Sequence, residues 1–119
     1  LDMTEEWNKV CDTQLITGVV IGRNDFIDSN KDAFNTFLDE YSASVDYVNA
    51  NVDEAAALIG GYDIVAEGVA KKALPYCNIT FLRDEEMKGA VSGYLNVLFE
   101  QDPTSVGGAL PDDSFYYFK

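Results

Sequence analysis

The chain has 119 residues, of which 8 are Lys or Arg and 21 are Asp or Glu, so its formal charge is 8 − 21 = −13. This length suits one domain, and a hydrophobic fraction of 47% excludes a disordered acidic tail, which lacks the apolar surface for a core. The charge argues against nucleic acid as a partner, because phosphate binding relies on Lys and Arg. The sequence has no histidine, which removes the commonest general base and metal ligand.

Membrane and export signals are not found in the sequence. No run of about 18 consecutive apolar residues predicts a transmembrane helix. Residues 1–10 are polar and acidic and lack the basic start of a signal peptide. The first residue is Leu1 rather than Met, and we interpret this as the mark of a processed or excised piece.

Residues 14–23 form the best strand candidate. The segment includes the β-branched run Val19, Val20 and Ile21 and does not alternate between apolar and polar residues. This pattern is typical of a strand that is covered on both faces. Gly18 and Gly22 mark positions where another backbone or a ligand comes close. A second, shorter extended segment is predicted at residues 79–82.

Helices are predicted on both sides of this strand. Thr4 is the expected N-cap of the first helix, and Asp84 is the expected cap of the last one. Ser29 begins a long helix whose apolar residues recur at helical spacing, namely Phe34, Phe37, Leu38, Tyr41, Val45 and Val48. The predicted helices span, in chain order, residues 4–11, 29–49, 51–59, 64–74 and 84–101.

No catalytic, cofactor or metal motif emerges from the sequence. There is no P-loop, and without histidine a Ser-His-Asp arrangement is impossible. Acidic residues near Asp25 lack the glycine and the bidentate glutamate of a calcium loop, and the acidic run at residues 84–86 complements a helix dipole. Cys11 and Cys77 are predicted to be two separate thiols, although one disulfide stays possible.

A family resemblance runs through most of the chain. It is carried by Gln-Leu-Ile-Thr-Gly-Val-Val-Ile-Gly-Arg-Asn-Asp-Phe at residues 14–26, Ala-Lys-Lys-Ala-Leu-Pro-x-Cys-Asn-Ile at 70–79 and Ser-Val-Gly-Gly-x-Leu-Pro-Asp-Asp-x-Phe-Tyr-Tyr at 105–117. Together with the phrases at residues 1–10, 33–41 and 47–56, these resemble bacterial solute-binding proteins of ABC importers. The nitrate/sulfonate/taurine class is the one that the order and spacing match.

The resemblance implies the type II periplasmic-binding fold, in which two α/β lobes joined by crossover strands enclose a ligand. The chain then corresponds to the C-terminal portion of such a protein. Residues 1–13 would end lobe 2, residues 14–23 would be a crossover strand, and residues 24–119 would form the C-terminal part of lobe 1. The expected fold class is therefore helix-rich α/β, a partial lobe with a crossover strand and about four to five helices.

The function that the resemblance implies is solute capture by lobe closure, without catalysis, outside the cytoplasm. The protein would be a periplasmic protein or a membrane-anchored lipoprotein, with a small-molecule solute and an ABC permease as partners and no cofactor or metal. Gln14, Thr17 and Gly18 match a hinge strand and are the expected ligand-binding residues, although ordinary strand packing explains them as well. With one lobe largely missing, the chain alone is expected to bind solutes weakly and to form a homodimer through uncovered apolar surface.

Three other functions are compatible with the same residues. A thiamine-precursor synthase shares the implied fold, but it needs a His- and Cys-rich site that this chain does not contain. An effector-sensing domain of a transcription regulator would require a helix-turn-helix upstream and a cytoplasmic location. A structural or interaction module would use the same acidic helices. Neighbouring genes for a permease and an ATPase would favour the importer.

Overall fold

The computed structural model describes residues 2–119, and every regular element in this range is a helix. The α-helices are α1 (Met3–Asn8), α2 (Asn24–Ser29), α3 (Lys31–Ala50), α4 (Val52–Gly61), α5 (Glu67–Ala73) and α6 (Asp84–Gln101). Short 3₁₀ turns occur at Leu74–Tyr76, Pro103–Val106 and Asp113–Phe115. The described residues divide into two compact units, one formed by residues 2–22 and 82–119 and the other by Arg23–Phe81.

The predicted strand at residues 14–23 is absent, so the expectation of an α/β lobe with a crossover strand is wrong. The segment is neither helix nor strand, and Val19 and Ile21 are 61% and 83% exposed rather than covered. The physical reason is that a strand forms its backbone hydrogen bonds with a neighbouring strand, and no described segment supplies one. Residues 79–82 likewise form no strand. The described fold is all-helical.

The helix boundaries confirm some predictions and correct others. Helix α6 begins and ends where predicted. The cap of α1 is Asp2 rather than Thr4, because the Asp2 carboxylate accepts hydrogen bonds from the backbone N–H groups of Thr4 and Glu5 at 2.8 and 3.2 Å. Ser29 ends the unpredicted α2 instead of opening α3. Asp84 has a φ of 52° and does not cap α6.

Short side chains hold α4 against α5 in the unit Arg23–Phe81. Ala55, Ala56 and Ala70 are 3%, 0% and 2% exposed, so the contact is made by methyl groups. At the end of α4, a Cβ added to Gly60 would lie 3.1 Å from the backbone nitrogen of Glu67, which begins α5. Residues without long side chains therefore set how closely the two helices approach.

The apolar stripe predicted on α3 is present but only partly buried. Leu38 and Val45 are buried, whereas Phe37 and Tyr41 are 44% and 40% exposed. The Phe37 and Tyr41 rings lie 5.8 Å apart between centroids, and the Tyr41 ring meets the edge of Phe81 at 5.6 Å. The aromatic residues of the stripe therefore stack on one another along the rim of the core.

In the other unit, the turn after α1 packs on α6. The Trp7 indole N–H donates to the carbonyl oxygen of Thr13 at 2.7 Å, and the Trp7 ring lies 5.3 Å from the Tyr94 ring. A Cβ added to Gly93 would lie 2.9 Å from the Thr13 methyl group. Thr13 therefore occupies the space that the missing side chain of Gly93 leaves on the helix surface.

The C-terminal segment returns to the first half of α6. Lys88 forms a salt bridge with Asp113 at 2.9 Å, and the backbone N–H of Lys119 donates to the Asp84 carboxylate at 2.9 Å. The hydrogen bond to Asp113 raises the pKa of Lys88. Tyr116 is buried, and this burial raises the pKa of its hydroxyl. Polar contacts and one buried ring thus hold the end of the chain.

Two carboxylates organise the last two 3₁₀ turns in the same way. Asp102 accepts from the Thr104 hydroxyl at 2.7 Å and from its backbone N–H at 2.9 Å. Asp112 accepts from the Ser114 hydroxyl at 2.5 Å and from its backbone N–H at 2.9 Å. These bonds, the hydroxyl first, lower the pKa of both carboxyl groups.

Gly93→Ala and Gly89→Ala are expected to have different effects on stability. Both residues lie inside α6, where alanine is favoured over glycine by roughly 0.5–1 kcal/mol. Nothing lies within 4 Å of a Cβ at Gly89, so that variant is stabilised, whereas a Cβ at Gly93 meets Thr13 and loses this gain. Urea unfolding of both variants tests the difference, and equal stabilisation would contradict the packing of Thr13 on Gly93.

The contribution of Asp102 and Asp112 to stability is expected to disappear in acid. Because the folded pKa of each carboxyl lies below its unfolded value, their contribution is full above the unfolded pKa of about 3.9 and is lost as pH falls through the folded pKa. The double variant Asp102→Asn/Asp112→Asn is therefore less stable than the wild type at neutral pH, and the gap closes in strong acid. Urea midpoints at the two pH values measure the gap; an undiminished gap in acid would contradict the expectation.

Candidate functional site

The predicted ligand-binding residues lie on the exposed segment between α1 and α2. Gln14, Thr17 and Gly18 are all exposed. Within residues 2–119, the side chains of Gln14 and Thr17 have no hydrogen-bond partner, and nothing lies within 4 Å of the position of a Cβ on Gly18. An amide, a hydroxyl and an open stretch of backbone are therefore all available to a ligand.

The segment is held by contacts at both of its ends. At the start, Trp7 fixes the carbonyl of Thr13, the residue before Gln14. At the far end, the Arg23 guanidinium binds the Asp25 carboxylate at 2.6 and 3.1 Å as α2 begins. Between these ends only Leu15 and Ile16 are half-buried. The polar groups of the segment thus project from backbone that is anchored but is not part of a helix.

A second arrangement, which the sequence analysis did not find, is a groove on α4. Its volume is 540 Å³ and it is lined by Tyr47, Glu54, Ala57, Leu58, Gly61 and Tyr62. The Tyr47 hydroxyl donates to a Glu54 carboxylate oxygen at 3.4 Å. A signal was present in the sequence, because the α4 members of the set recur at the three- and four-residue spacing of one helix face. Their tyrosine neighbours lie outside α4 and could not be placed without the structure.

The remaining candidate groups are the acidic clusters and the two cysteines. Residues 2–119 contain no group of three or more His, Cys, Asp or Glu side chains arranged to hold a metal ion. Cys11 and Cys77 are free thiols, which confirms the prediction that they are separate. The Cys77 thiol is exposed and donates to the carbonyl oxygen of Ala73 at 3.3 Å. The acidic residues 84–86 lie in the first turn of α6, as predicted.

Comparison of the chain with protein-family models, with curated proteins and with solved structures finds no match. Over residues 2–119, no helix combines the length and the apolar character that crossing a membrane requires.

The apolar part of the segment predicts self-association. Val19, Val20 and Ile21 are 61%, 45% and 83% exposed, and burying apolar surface contributes about 25 cal/mol per Å². The net charge of −13 opposes association, but in physiological salt exposed charges are screened beyond about 8 Å. We expect a dimer at micromolar concentration in sedimentation velocity.

Ile21→Lys is expected to weaken this dimer by placing a charge in the contact. Val10→Lys is the matched control, since Val10 is 80% exposed and lies outside the segment, so it adds the same charge elsewhere. A wild-type chain that stays monomeric, or equal weakening by both variants, would contradict a dimer formed through Val19–Ile21.

Proposed function

We propose that this chain is the extracytoplasmic solute-binding component of an ABC-type importer and that it captures its solute for the permease without catalysis. The support from the sequence is the ordered set of phrases at residues 14–26, 70–79 and 105–117, which resemble the nitrate/sulfonate/taurine class. In this proposal the protein works in the periplasm or as a lipid-anchored protein. The proposal concerns function alone and does not include a crossover strand.

The observation that carries the proposal is the availability of Gln14, Thr17 and Gly18. A polar side chain that is bonded to another protein group, as Asp102 is to Thr104, is already occupied. Gln14 and Thr17 instead direct their polar groups to solvent without a partner among the described residues. They lie close together in the chain beside an unobstructed backbone at Gly18, an arrangement that suits hydrogen bonding to a small polar solute.

The chemistry of these groups indicates how a solute is held. The Gln14 amide supplies two N–H donors and one acceptor oxygen, and the Thr17 hydroxyl donates one hydrogen bond and accepts others. The nearby Arg23 is already paired with Asp25, so the donors that the segment offers are neutral groups. Each hydrogen bond contributes about 0.5–1.5 kcal/mol net to a neutral solute and about 1.5–3 kcal/mol to a charged one. Because these contacts are few and binding also costs the solute its translational and rotational freedom, we expect a dissociation constant of about 1 mM or weaker.

Titration of the isotope-labelled chain with taurine, ethanesulfonate, nitrate, bicarbonate and a thiamine precursor tests the proposal. We expect one of these solutes to shift the backbone amide resonances of Thr17 and Gly18 at millimolar concentration. Calorimetry of the same mixtures should detect no micromolar binding, because a tightly held ligand is buried over most of its surface and this segment is open.

Substitution then assigns the shifts to the named side chains. The double variant Gln14→Ala/Thr17→Val is expected to weaken the response about fivefold or more, since it removes both side-chain hydrogen bonds. Gln101→Ala is the matched control, because Gln101 is exposed at the end of α6 and should leave the response unchanged. The proposal fails if no solute in the panel shifts these resonances or if the double variant responds like the wild type.

A further inference from the structure

The lining of the groove on α4 combines two tyrosines with two residues that lack long side chains. Tyr47 of α3 and Tyr62 at the end of α4 are 45% and 78% exposed. Ala57 and Gly61 belong to the same lining, and nothing lies within 4 Å of a Cβ position on Gly61. The volume of 540 Å³ is within the usual range of about 300–1,000 Å³ for small-molecule sites.

The groove contains one carboxylate, that of Glu54, which forms no ion pair among residues 2–119. Its neighbour Asp53 forms a salt bridge with Lys71 at 2.8 Å. Glu54 instead makes no salt bridge with any residue in the described range, and its contact is the hydrogen bond from the Tyr47 hydroxyl. The negative charge at the groove is therefore uncompensated and complements a positively charged ligand.

Backbone hydrogen bonds fix the position of the Tyr62 backbone at the end of α4. The Tyr62 N–H donates to the carbonyl of Leu58 at 3.0 Å, and the Asp63 N–H donates to that of Gly60 at 3.1 Å. Asp63 then adopts a left-handed φ of 54°, which turns the chain away after α4. The aromatic ring thus extends from backbone that is tied to the helix, although the ring itself is exposed.

From these observations we propose that the groove, whose lining includes Tyr47, Tyr62 and Glu54, binds a small organic cation that carries a quaternary ammonium group. Such cations are attracted to the faces of aromatic rings. The carboxylate supplies the counter-charge. This site uses other residues and another ligand chemistry than the solute-binding segment at Gln14–Gly18, so it does not depend on the proposed function.

The lining favours a quaternary ammonium over a guanidinium group. A guanidinium has five N–H donors that need acceptors, and the side chains of this groove offer the Glu54 carboxylate and two tyrosine hydroxyls. A quaternary ammonium has no donor to satisfy, and its methyl groups suit the apolar surfaces of Ala57 and Leu58. The charge is then balanced by Glu54 without unpaired donors.

Amide shift titrations with choline test this site. Choline is expected to shift the resonances of Ala57, Gly61 and Tyr62 with a millimolar dissociation constant. The neutral analogue 3,3-dimethylbutanol, which replaces nitrogen by carbon, should shift them far less at the same concentration. N-acetylarginine amide is the guanidinium probe and should bind more weakly than choline. Equal shifts with the neutral analogue, tighter binding of the guanidinium probe, or no shift with choline would each overturn the assignment.

Substitutions measure the contributions of the Glu54 charge and of the Tyr62 ring to choline binding separately. Glu54→Gln and Tyr62→Leu are each expected to weaken choline binding by about threefold to fivefold, while Tyr62→Phe retains it. Glu40→Gln and Tyr76→Leu are the matched controls, because both residues are exposed and lie outside the groove. A well-dispersed amide spectrum confirms that each variant is folded. Control variants that weaken binding as much as the groove variants would show that choline responds to the general surface charge.

Discussion

Backbone hydrogen bonding decides which parts of this chain become ordered elements. A helix pairs each N–H with a carbonyl of its own segment, whereas a strand depends on a second strand. Every regular element in residues 2–119 is a helix, and the segment richest in β-branched residues forms no regular element at all. The same constraint leaves the amide of Gln14 and the hydroxyl of Thr17 facing solvent, where they are available to a ligand.

Helix α4 shows how small residues serve packing and a surface site at once. Ala55 and Ala56 are buried, and Gly60 allows the close approach of Glu67 at the start of α5. Ala57 and Gly61 belong to the lining of the groove, where their lack of long side chains leaves room for a ligand. A larger residue on the buried side would separate the helices, whereas one in the groove would fill the proposed cation site and leave the packing intact.

The sequence predicts elements well where the signal is local. Helix α6 has a run of acidic residues at its start and Pro103 just beyond its end, and its bounds are as predicted. Thr4 was a plausible cap, but Asp2 stands two residues earlier and accepts from the N–H groups of Thr4 and Glu5, so α1 begins before Thr4. The strand prediction failed because β-branched residues indicate a capacity for pairing, and whether a partner strand exists is not a local property. The assignment of Gln14, Thr17 and Gly18 to ligand binding stays a prediction, and what the structure changes is their setting, an exposed segment instead of a strand covered on both faces.

The groove on α4 could not be predicted from the sequence, for a related reason. Periodicity shows which residues of α4 share a face, but Tyr47 belongs to α3, and its position beside Glu54 depends on how the two helices pack. The exposure of Phe37 and Tyr41 on α3 has the same origin, because a stripe of apolar residues does not reveal how much cover the other helices supply. Tertiary packing therefore determines which apolar and acidic residues become surface features.

Trp7 makes the two compact units optically distinguishable. It is the single tryptophan of the chain, and its contacts with Thr13 and Tyr94 lie within the unit formed by residues 2–22 and 82–119. Its fluorescence therefore reports loss of order in that unit alone, whereas far-ultraviolet circular dichroism follows the helices of both. Coincident transitions by the two signals would indicate one cooperative molecule, and separate transitions would indicate two units that unfold independently.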